Sequence, residues 1–236
     1  MHLSPESSIV ILTGAGISAE SGLATFRGAG GMWADQRVED VATPEGFARD
    51  PELVHRFYNE RRAQLATVQP NAAHLALAEL ERAWPGEFLL VTQNVDDLHD
   101  RAGSGNLLHM HGELARSRCA RCGHVFLWPG PTSQEMPCPA CGRKPAVRPH
   151  IVWFGEMPLE LERIGSALAR CALFAAIGTS GNVYPAAGFV ASVGPGATTL
   201  ELNLEPSLVT SAFTEHRQGP ATELVPALVR ELLAGI

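Results

Sequence analysis

The fold class of this chain is set by SIVILTGAGISAESG, residues 8–22. Its first half is a short apolar run of the kind that forms a buried parallel strand. In its second half, Gly14, Gly16 and Ala19 match the spacing G-x-G-x-x-G/A. Glycines at this spacing let the backbone approach a pyrophosphate, and the next helix offers its N-terminal amides to the same anion. The stretch therefore predicts a strand, a tight turn and a helix that can together bind a nucleotide.

The glycine spacing alone leaves a second interpretation open. A tight turn between a strand and a helix needs glycine whether or not a ligand binds. The acidic residue expected about 20 positions later, which would end a second strand and hold a ribose, is missing. The segment FRGAGGMWADQRVED fills that space at 26–40 and is typical of a loop. The sequence therefore disfavours an ordinary nicotinamide-dependent dehydrogenase.

Strands and helices alternate along most of the chain. The further apolar runs that predict strands lie in 87–94, 171–180 and 197–205. The helical patterns lie in 51–66, 71–84, 158–171 and 223–236. The first of these helices has Pro51 near its start, and the second begins with Asn71 as an N-cap. This alternation predicts an α/β protein built on a doubly wound parallel sheet.

Two close cysteine pairs lie in the segment 113–149, which is rich in Pro, Gly and Arg and lacks a helical period. The paired residues are Cys119, Cys122, Cys138 and Cys141. Four thiolates at this spacing can close a tetrahedral Zn²⁺ site from two turns, with buried free thiols as the alternative. Because all four ligands would be cysteines, we expect a structural metal in a small inserted module. The fifth cysteine, Cys171, is typical of a small core residue.

Composition limits the classes of function. The chain has 236 residues, 45% of them hydrophobic, which suffices for one large domain or a main domain with a small insert. The formal net charge of −7 gives no basic excess for nucleic acid. The first apolar run is too short for a signal peptide, and no run approaches the ~20 residues needed to span a bilayer. We expect a cytoplasmic protein with no direct nucleic-acid or membrane partner.

Several motifs follow one another in a fixed order and spacing. They are GAGISAESGLATFRG, TQNVDDLH, HMHGEL, the two cysteine pairs, PHIVWFGEMP, GTSGNVYPAAG and NLEP. From about Ile9 to Ala221 the chain resembles the sirtuins, the family of NAD-dependent protein-lysine deacylases. It is most similar to class III, the bacterial or mitochondrial type, which carries TFRGAGG and a Tyr-x-x-Arg pair on the following helix. Here that pair is Tyr58 and Arg61.

The resemblance implies an architecture and a reaction. A Rossmann-like NAD-binding domain would comprise 1–112, with a helical and loop insert at about 27–70, together with 150–236. The zinc-binding module would comprise 113–149. NAD and the acyl-lysine would meet in the cleft between the two. The enzyme would remove acetyl, succinyl or malonyl groups from protein lysines and yield nicotinamide and O-acyl-ADP-ribose.

The resemblance also implies roles for individual residues. His111 would be the general base that takes a proton from the ribose hydroxyls, a role that suits its ordinary pKa. Gln93, Asn94 and Asp96 would surround the ribose and amide of the nicotinamide end, and Asn94 would act in catalysis. The other predicted NAD-binding residues are Gly14, Ala15, Gly16, Ala19, Phe26, Arg27, Trp33, Gly178, Thr179, Ser180, Asn203, Leu204, Glu205 and Ala221. A polar turn that caps a helix is the alternative for Asp97, and we leave Asp97 and His99 out of the site.

Acyl specificity is predicted from a helix face. Tyr58 and Arg61 are three residues apart, so they share one face and can bind the distal carboxylate of a succinyl or malonyl group. The alternative is an ordinary solvated helix face. By resemblance Ala42 would leave room for the longer acyl chain. The residues expected beside the substrate peptide, which would add as a strand, are Val152, Trp153, Phe154 and Gly155.

Two other functions stay open. A protein ADP-ribosyltransferase would use the same NAD cleft, with an acceptor side chain capturing the ribose. A non-catalytic zinc module would only sense NAD. The polar residues and the acyl-specific pair favour the deacylase, which we expect to act as a monomer on acylated proteins or peptides.

Overall fold

In the computed structural model, strands and helices alternate through the described residues, which are 3–24, 32–33 and 36–235. The strands are β1 (Ile9–Thr13), β2 (Met32–Trp33), β3 (Gln36–Arg37), β4 (Phe88–Thr92), β5 (Leu107–His109), β6 (Gly112–Cys119), β7 (Val125–Leu127), β8 (Val147–Ile151), β9 (Leu173–Ile177), β10 (Thr198–Asn203) and β11 (Glu215–Gln218). The helices are α1 (Gly16–Ala19), α2 (Val38–Val41), α3 (Pro44–Arg49), α4 (Pro51–Leu65), α5 (Ala72–Ala83), α6 (Leu98–Ala102), α7 (Leu161–Leu168) and α8 (Ala221–Leu233). Short 3-10 helices form at Ala186–Ser192 and Thr210–Ala212.

The central sheet has the strand order β11-β10-β9-β1-β4-β5, and every neighbouring pair is parallel. The chain builds β4 and β5 on one side of β1, then crosses back and places β9, β10 and β11 on the other side. The prediction of a Rossmann-like, doubly wound parallel sheet is therefore confirmed. The order reverses between β1 and β9, so the loops that follow these strands diverge. Such a switch point is where open α/β sheets bind ligands.

Both faces of the sheet are covered by helices, which explains why the central strands are apolar without a break. In β1, Ile9 and Ile11 pack against α5 and α8, whereas Val10 and Leu12 pack on the other face against α7. Successive side chains of a strand point to opposite faces, so a strand buried on both sides needs a continuous apolar run. Fully burying each such side chain contributes about 1.5–3 kcal/mol.

Two predicted helix starts are confirmed by their caps. The Asp50 side chain accepts a hydrogen bond from the amide of Leu53 at 2.9 Å, and Pro51 begins α4. The Asn71 side chain accepts from the amide of Ala73 at 3.0 Å and so caps α5. Each cap satisfies a backbone donor that the first helical turn leaves unpaired. None of the helices in the described ranges has the length and apolar character needed to cross a bilayer.

A three-stranded antiparallel sheet, in the order β7-β6-β8, lies between the two parts of the main sheet in sequence and carries the cysteines. A tight turn contains each cysteine pair and closes at the glycine that follows it. The amide of Gly123 donates to Cys119 at 2.9 Å, and that of Gly142 donates to Cys138 at 2.8 Å. Both glycines have positive φ, 76° and 67°, which strains other residues. The inserted module is confirmed as part of the fold, while the domain boundaries stay a prediction.

The loop predicted for 26–40 is partly wrong. Residues 36–37 form β3, which pairs antiparallel with β2, and α2 begins at Val38. These elements are two to four residues long. Such lengths are too short to give a helical or alternating period, which explains the error.

Candidate active site

A cavity of about 930 Å³ opens at the carboxyl edge of the central sheet, which is the upper end of the range for ligand sites. It is lined by the loops after β1, β4, β9 and β10, by α4 and by the segment after β8. The predicted site residues that line it are Gly14, Ala15, Gly16, Trp33, Ala42, Tyr58, Arg61, Gln93, Asn94, Asp96, His111, Val152, Trp153, Phe154, Gly155, Gly178, Thr179, Ser180, Asn203, Leu204 and Glu205. One cavity thus brings together residues from most of the chain.

Four predicted NAD-binding residues are not among those lining residues. Ala19 is exposed at the end of α1, and Ala221 is half-buried at the start of α8. Phe26 and Arg27 lie outside the described residues. The roles of all four stay predictions.

The glycines of the first loop pack against the loop that follows β9. A Cβ atom added to Gly14 would lie 2.7 Å from the carbonyl oxygen of Gly178, and one added to Gly16 would lie 2.6 Å from its Cα. The amide of Gly16 donates to that same carbonyl at 2.9 Å. Contacts this short exclude a side chain. The glycines are therefore required by the meeting of two backbones at the switch point, beside the cavity.

Asn94 and Asp96 are held by a residue that the sequence analysis missed, Ser18. The Asn94 amide nitrogen donates to the carbonyl of Gly14 and to the Ser18 hydroxyl, both at 3.1 Å. Ser18 in turn donates to Asp96 at 3.1 Å, and the amide of Leu98 donates to the other carboxylate oxygen at 3.1 Å. Burial raises the pKa of Asp96. Since both amide hydrogens of Asn94 are used, its oxygen is left as an acceptor among the described residues, and Asn94 lines the cavity.

Behind this cluster lie two buried histidines. The ring of His74 is 3.3 Å from the Ser18 hydroxyl, and that of His99 is 3.0 Å from the Thr13 hydroxyl. The two rings are 4.8 Å apart. Burial lowers the pKa of His74 to about 4 and that of His99 well below its ordinary value. Both rings are therefore neutral at physiological pH, and neither His99 nor Asp97 lines the cavity.

His111 has a fixed tautomer. Its Nδ1 atom is 3.0 Å from the carbonyl oxygen of Gln93. A carbonyl can only accept, so Nδ1 carries the proton and Nε2 keeps a lone pair. Burial lowers the pKa of His111, and the Gln93 carbonyl opposes that shift in part. The neutral, basic form is therefore the one present near neutral pH.

Tyr58 and Arg61 lie in the cavity wall and not on a solvated face. Tyr58 is 0% exposed, and the Arg61 side chain is 18% exposed. The Arg61 guanidinium stacks 4.0 Å above the Phe57 ring and donates to the Phe57 carbonyl at 2.7 Å. Trp33 packs edge-on against Tyr58 with ring centres 5.9 Å apart. Arg61 is thus the more accessible of the pair, with Tyr58 behind it.

The backbone amides of the segment after β8 already donate hydrogen bonds within the protein. The amide of Val152 donates to the carbonyl of His111 at 2.8 Å, and that of Phe154 donates to Ala42 at 3.0 Å. The amide of Trp153 donates to the Glu156 carboxylate at 2.9 Å. A peptide lying along this segment cannot pair with these three amides unless they release their partners.

Other residues line the cavity without having been predicted. They are Ser18, Leu23, Ala24, Gln64, Leu65, Val95, Leu114, Ile151, Glu156, Pro158, Asn182, Val183, Tyr184, Pro206, Ser207 and Leu208. Most stand within a few positions of a predicted residue. Gln64 and Leu65 carried a usable signal, because they follow Arg61 by three and four positions and so share its helix face.

The four cysteines of the module meet as predicted. Their sulfur atoms all lie within 4.8 Å of one another. The Cys119 and Cys141 sulfurs are 3.8 Å apart, and those of Cys122 and Cys138 are 3.7 Å apart. A tetrahedron with Zn–S distances of about 2.3 Å has edges of about 3.8 Å. The arrangement therefore fits a four-thiolate Zn²⁺ site, and none of the four forms a disulfide.

Comparison with known proteins identifies the family. The profile of the Sir2 family matches residues 14–185, well over half of the chain. The chain belongs to the Sir2 family. A relative from Pasteurella multocida (strain Pm70), named NAD-dependent protein deacylase, is 59% identical over 228 residues, which cover 95% of this chain and 97% of the relative.

Solved structures of Sir2 proteins share the fold. The crystal structure of a Sir2 homologue–NAD complex has a TM-score of 0.86 and 40% identity, covering 97% of this chain and 90% of that one. A structure of Sir2 bound to acetylated peptide has a TM-score of 0.79 and 29% identity, covering 95% of this chain and 92% of that one. The sirtuin resemblance is confirmed.

Proposed function

We propose that this chain is an NAD-dependent protein-lysine deacylase, which transfers the acyl group of a modified lysine to ADP-ribose and releases nicotinamide. The observation that carries the proposal is a single cavity at the switch point that joins His111, Asn94 and Asp96 to the Tyr58/Arg61 wall. The name of the Pasteurella relative and the NAD and acetylated-peptide complexes of Sir2 proteins support it.

Bound NAD supplies a ribose carbon that becomes electrophilic as nicotinamide leaves. The chain's task is to orient the ribose and to stabilise the positive charge that develops on it. The free amide oxygen of Asn94 and the Asp96 carboxylate are acceptors fixed by Ser18, and Gln93 lines the same cavity. Prearranged polar groups of this kind are worth several kcal/mol when they face developing charge in a site that excludes water.

His111 would act as the general base. The Gln93 carbonyl holds the proton on Nδ1, so Nε2 can accept a proton from a ribose hydroxyl. The same carbonyl then stabilises the imidazolium through the Nδ1 hydrogen bond. General bases placed in this way accelerate reactions by about 10²–10⁴-fold.

Arg61 and Tyr58 would select acyl groups that end in a carboxylate. Arg61 is the more exposed and would meet a succinyl or malonyl carboxylate first, with the phenol of Tyr58 behind it. Ala42 is small and buried at the same cavity wall, which leaves space for the longer chain. An acetyl group lacks the carboxylate but fits the same space, so we propose activity on both classes.

The zinc site would be structural. Cys119, Cys122, Cys138 and Cys141 would bind one Zn²⁺ and so tie the two turns of the small module together. Acylated proteins or peptides are the proposed substrates. We further propose that the enzyme is monomeric and cytoplasmic and has no nucleic-acid or membrane partners. The proposed domain limits are 1–112 and 150–236 for the NAD-binding domain and 113–149 for the zinc-binding module.

Incubating the protein with NAD and acetyl-, malonyl- or succinyl-lysine peptides, followed by mass spectrometry, tests the function. The deacylase yields unmodified peptide, nicotinamide and O-acyl-ADP-ribose. ADP-ribosylated protein with intact acyl-lysine would instead identify the ADP-ribosyltransferase, which no feature of the cavity favours. Absence of nicotinamide release would leave only a module that binds NAD.

A further inference from the structure

The indole of Trp153 is buried and contacts Tyr58 in the cavity wall. Trp153 is 2% exposed, and its ring nitrogen donates a hydrogen bond to the Tyr58 hydroxyl at 2.9 Å. The two residues are 95 positions apart in sequence. An indole N–H can only donate, so the phenol oxygen must accept this bond. The direction of the bond between the two rings is therefore fixed.

This bond leaves the Tyr58 proton available. Among the described residues, Trp153 is the hydrogen-bond partner of the Tyr58 hydroxyl. Its N–H uses a lone pair of the phenol oxygen and leaves the phenol hydrogen unused. Burial raises the pKa of Tyr58, so the phenol stays protonated. A buried hydroxyl whose hydrogen has no acceptor is unfavourable, so a donor of this kind in a cavity wall is a candidate contact for a ligand. The carboxylate of a longer acyl group is a negatively charged acceptor that can take the hydrogen bond from the Tyr58 hydroxyl.

Trp153 is itself held from the side of the zinc module. The guanidinium of Arg148, on β8, lies 3.3 Å above the indole ring. Arg148 makes two parallel hydrogen bonds to Glu156, at 2.7 and 2.9 Å, and Glu156 accepts the amide of Trp153 at 2.9 Å. Burial works to raise the pKa of Glu156, but the hydrogen bonds from Arg148 and Trp153 lower it overall. The pair therefore stays ionised and clamps both the ring and the backbone of Trp153.

We propose that Trp153 is a positioning residue for acyl specificity, which fixes the Tyr58 phenol as a hydrogen-bond donor towards carboxylated acyl groups, and that the Arg148–Glu156 pair holds Trp153 in place. This inference rests on the proposed deacylase function and adds residues to its specificity. Trp153 acts through Tyr58 and has no bond of its own to the acyl group. Acetyl-lysine offers no carboxylate, so its turnover depends less on this arrangement.

The test is Trp153→Phe, which removes the indole N–H and keeps an aromatic ring. We expect the ratio of kcat/KM for succinyl-lysine peptide to that for acetyl-lysine peptide to fall about three- to tenfold, the effect of one lost hydrogen bond. The change should lie mainly in KM of the succinyl peptide, because the bond is made in the bound substrate as well as in the transition state. A ratio within twofold of wild type in a folded variant overturns the proposal.

A double-mutant cycle separates positioning from general damage to the cavity. In a Tyr58→Phe background the phenol is absent, so Trp153→Phe should produce no further fall in the ratio. A second fall of the same size would show that Trp153 acts by another route and overturn the proposal. Glu156→Gln provides an independent variant, because it keeps the shape of the clamp and removes its charge. Should Trp153→Phe not fold, the same ratio is read from Glu156→Gln, where a fall supports the proposal and no change overturns it.

The failure of this inference is distinguishable from the failure of the function. Wild-type protein that removes neither acyl group contradicts the deacylase itself. Wild-type protein that removes acetyl but not succinyl keeps the deacylase and overturns the inference. Wild-type protein active on both, with a ratio unmoved in the variants, also overturns the inference alone.

Discussion

Replacing His111 with alanine should stop deacylation and leave the fold intact. Within the described part of the chain, the imidazole makes one hydrogen bond, from Nδ1 to the Gln93 carbonyl. Losing a hydrogen bond of this kind costs about 0.5–1.5 kcal/mol of folding free energy, a small part of the ~5–15 kcal/mol of a typical domain. Removing a general base lowers the rate by about 10²–10⁴-fold, or about 3–5.5 kcal/mol of barrier. The effect on catalysis should therefore far exceed the effect on stability.

The assay measures nicotinamide and deacylated peptide from the same reaction, with thermal unfolding and NAD affinity measured in parallel. His111→Ala should unfold within a few degrees of wild type and bind NAD within a few-fold. A matched control is His216→Ala, because His216 is exposed on β11 and does not line the cavity. The control should retain wild-type turnover.

Two results would refute the reasoning about His111. Turnover within tenfold of wild type would remove it from the role of general base. Loss of NAD binding equal to the loss of turnover would mean that the ring holds the cavity together and does not transfer protons.

Three further predictions concern pH, acyl selectivity and metal. Because burial lowers the pKa of His111 and the base must be neutral, kcat/KM should be flat near neutral pH and fall only on the acid side, below the ordinary histidine range; a fall centred above that range would contradict the burial argument. The double variant Tyr58→Phe/Arg61→Met should lose succinyl turnover by about 10²-fold while acetyl turnover falls much less, and equal losses would contradict the specificity proposal. Removing zinc with a chelator, or through Cys122→Ser, should lower the melting temperature, and elemental analysis should find that about one Zn²⁺ per chain is released. Unchanged stability and no released metal would contradict a structural site.

The elements that sequence predicts best are long, apolar and buried on both sides. β1, β4, β9 and β10 each form an apolar run with turn residues beside it, so their strand character is local information. β11 has the sequence EHRQ and lies at the edge of the sheet with mostly exposed side chains. It pairs with β10 through backbone hydrogen bonds, and its sequence has no hydrophobic pattern from which a strand could be predicted. β5 and α6 are three and five residues long and carry too few positions for a period.

The residues of the candidate site also differ in how far the sequence alone predicts them. Gly14, Asn94 and His111 lie in motifs whose spacing can be recognised in the chain. Ser18 lies within the first of these motifs, yet its importance follows from bonds to residues 76 and 78 positions later. Glu156 becomes significant only when Arg148 is seen stacked on the indole beside it. Contacts between distant segments depend on how the sheets pack, which the local pattern of residues does not encode.

The two buried histidines behind the cavity are neutral, which suits a reaction that develops positive charge on the ribose. His74 hydrogen-bonds Ser18, which holds both Asn94 and Asp96, and His99 lies against His74. A cation at either ring would repel the positive charge that develops on the ribose, since charges interact strongly over short distances in a poorly solvated site. Burial lowers the pKa of both rings, so they orient the polar groups without contributing charge. A lysine at either position would keep a hydrogen-bond donor but would either carry that charge or lose its proton on burial. Neutral imidazoles supply hydrogen bonds to Ser18 and Thr13 without placing positive charge beside Asn94 and Asp96.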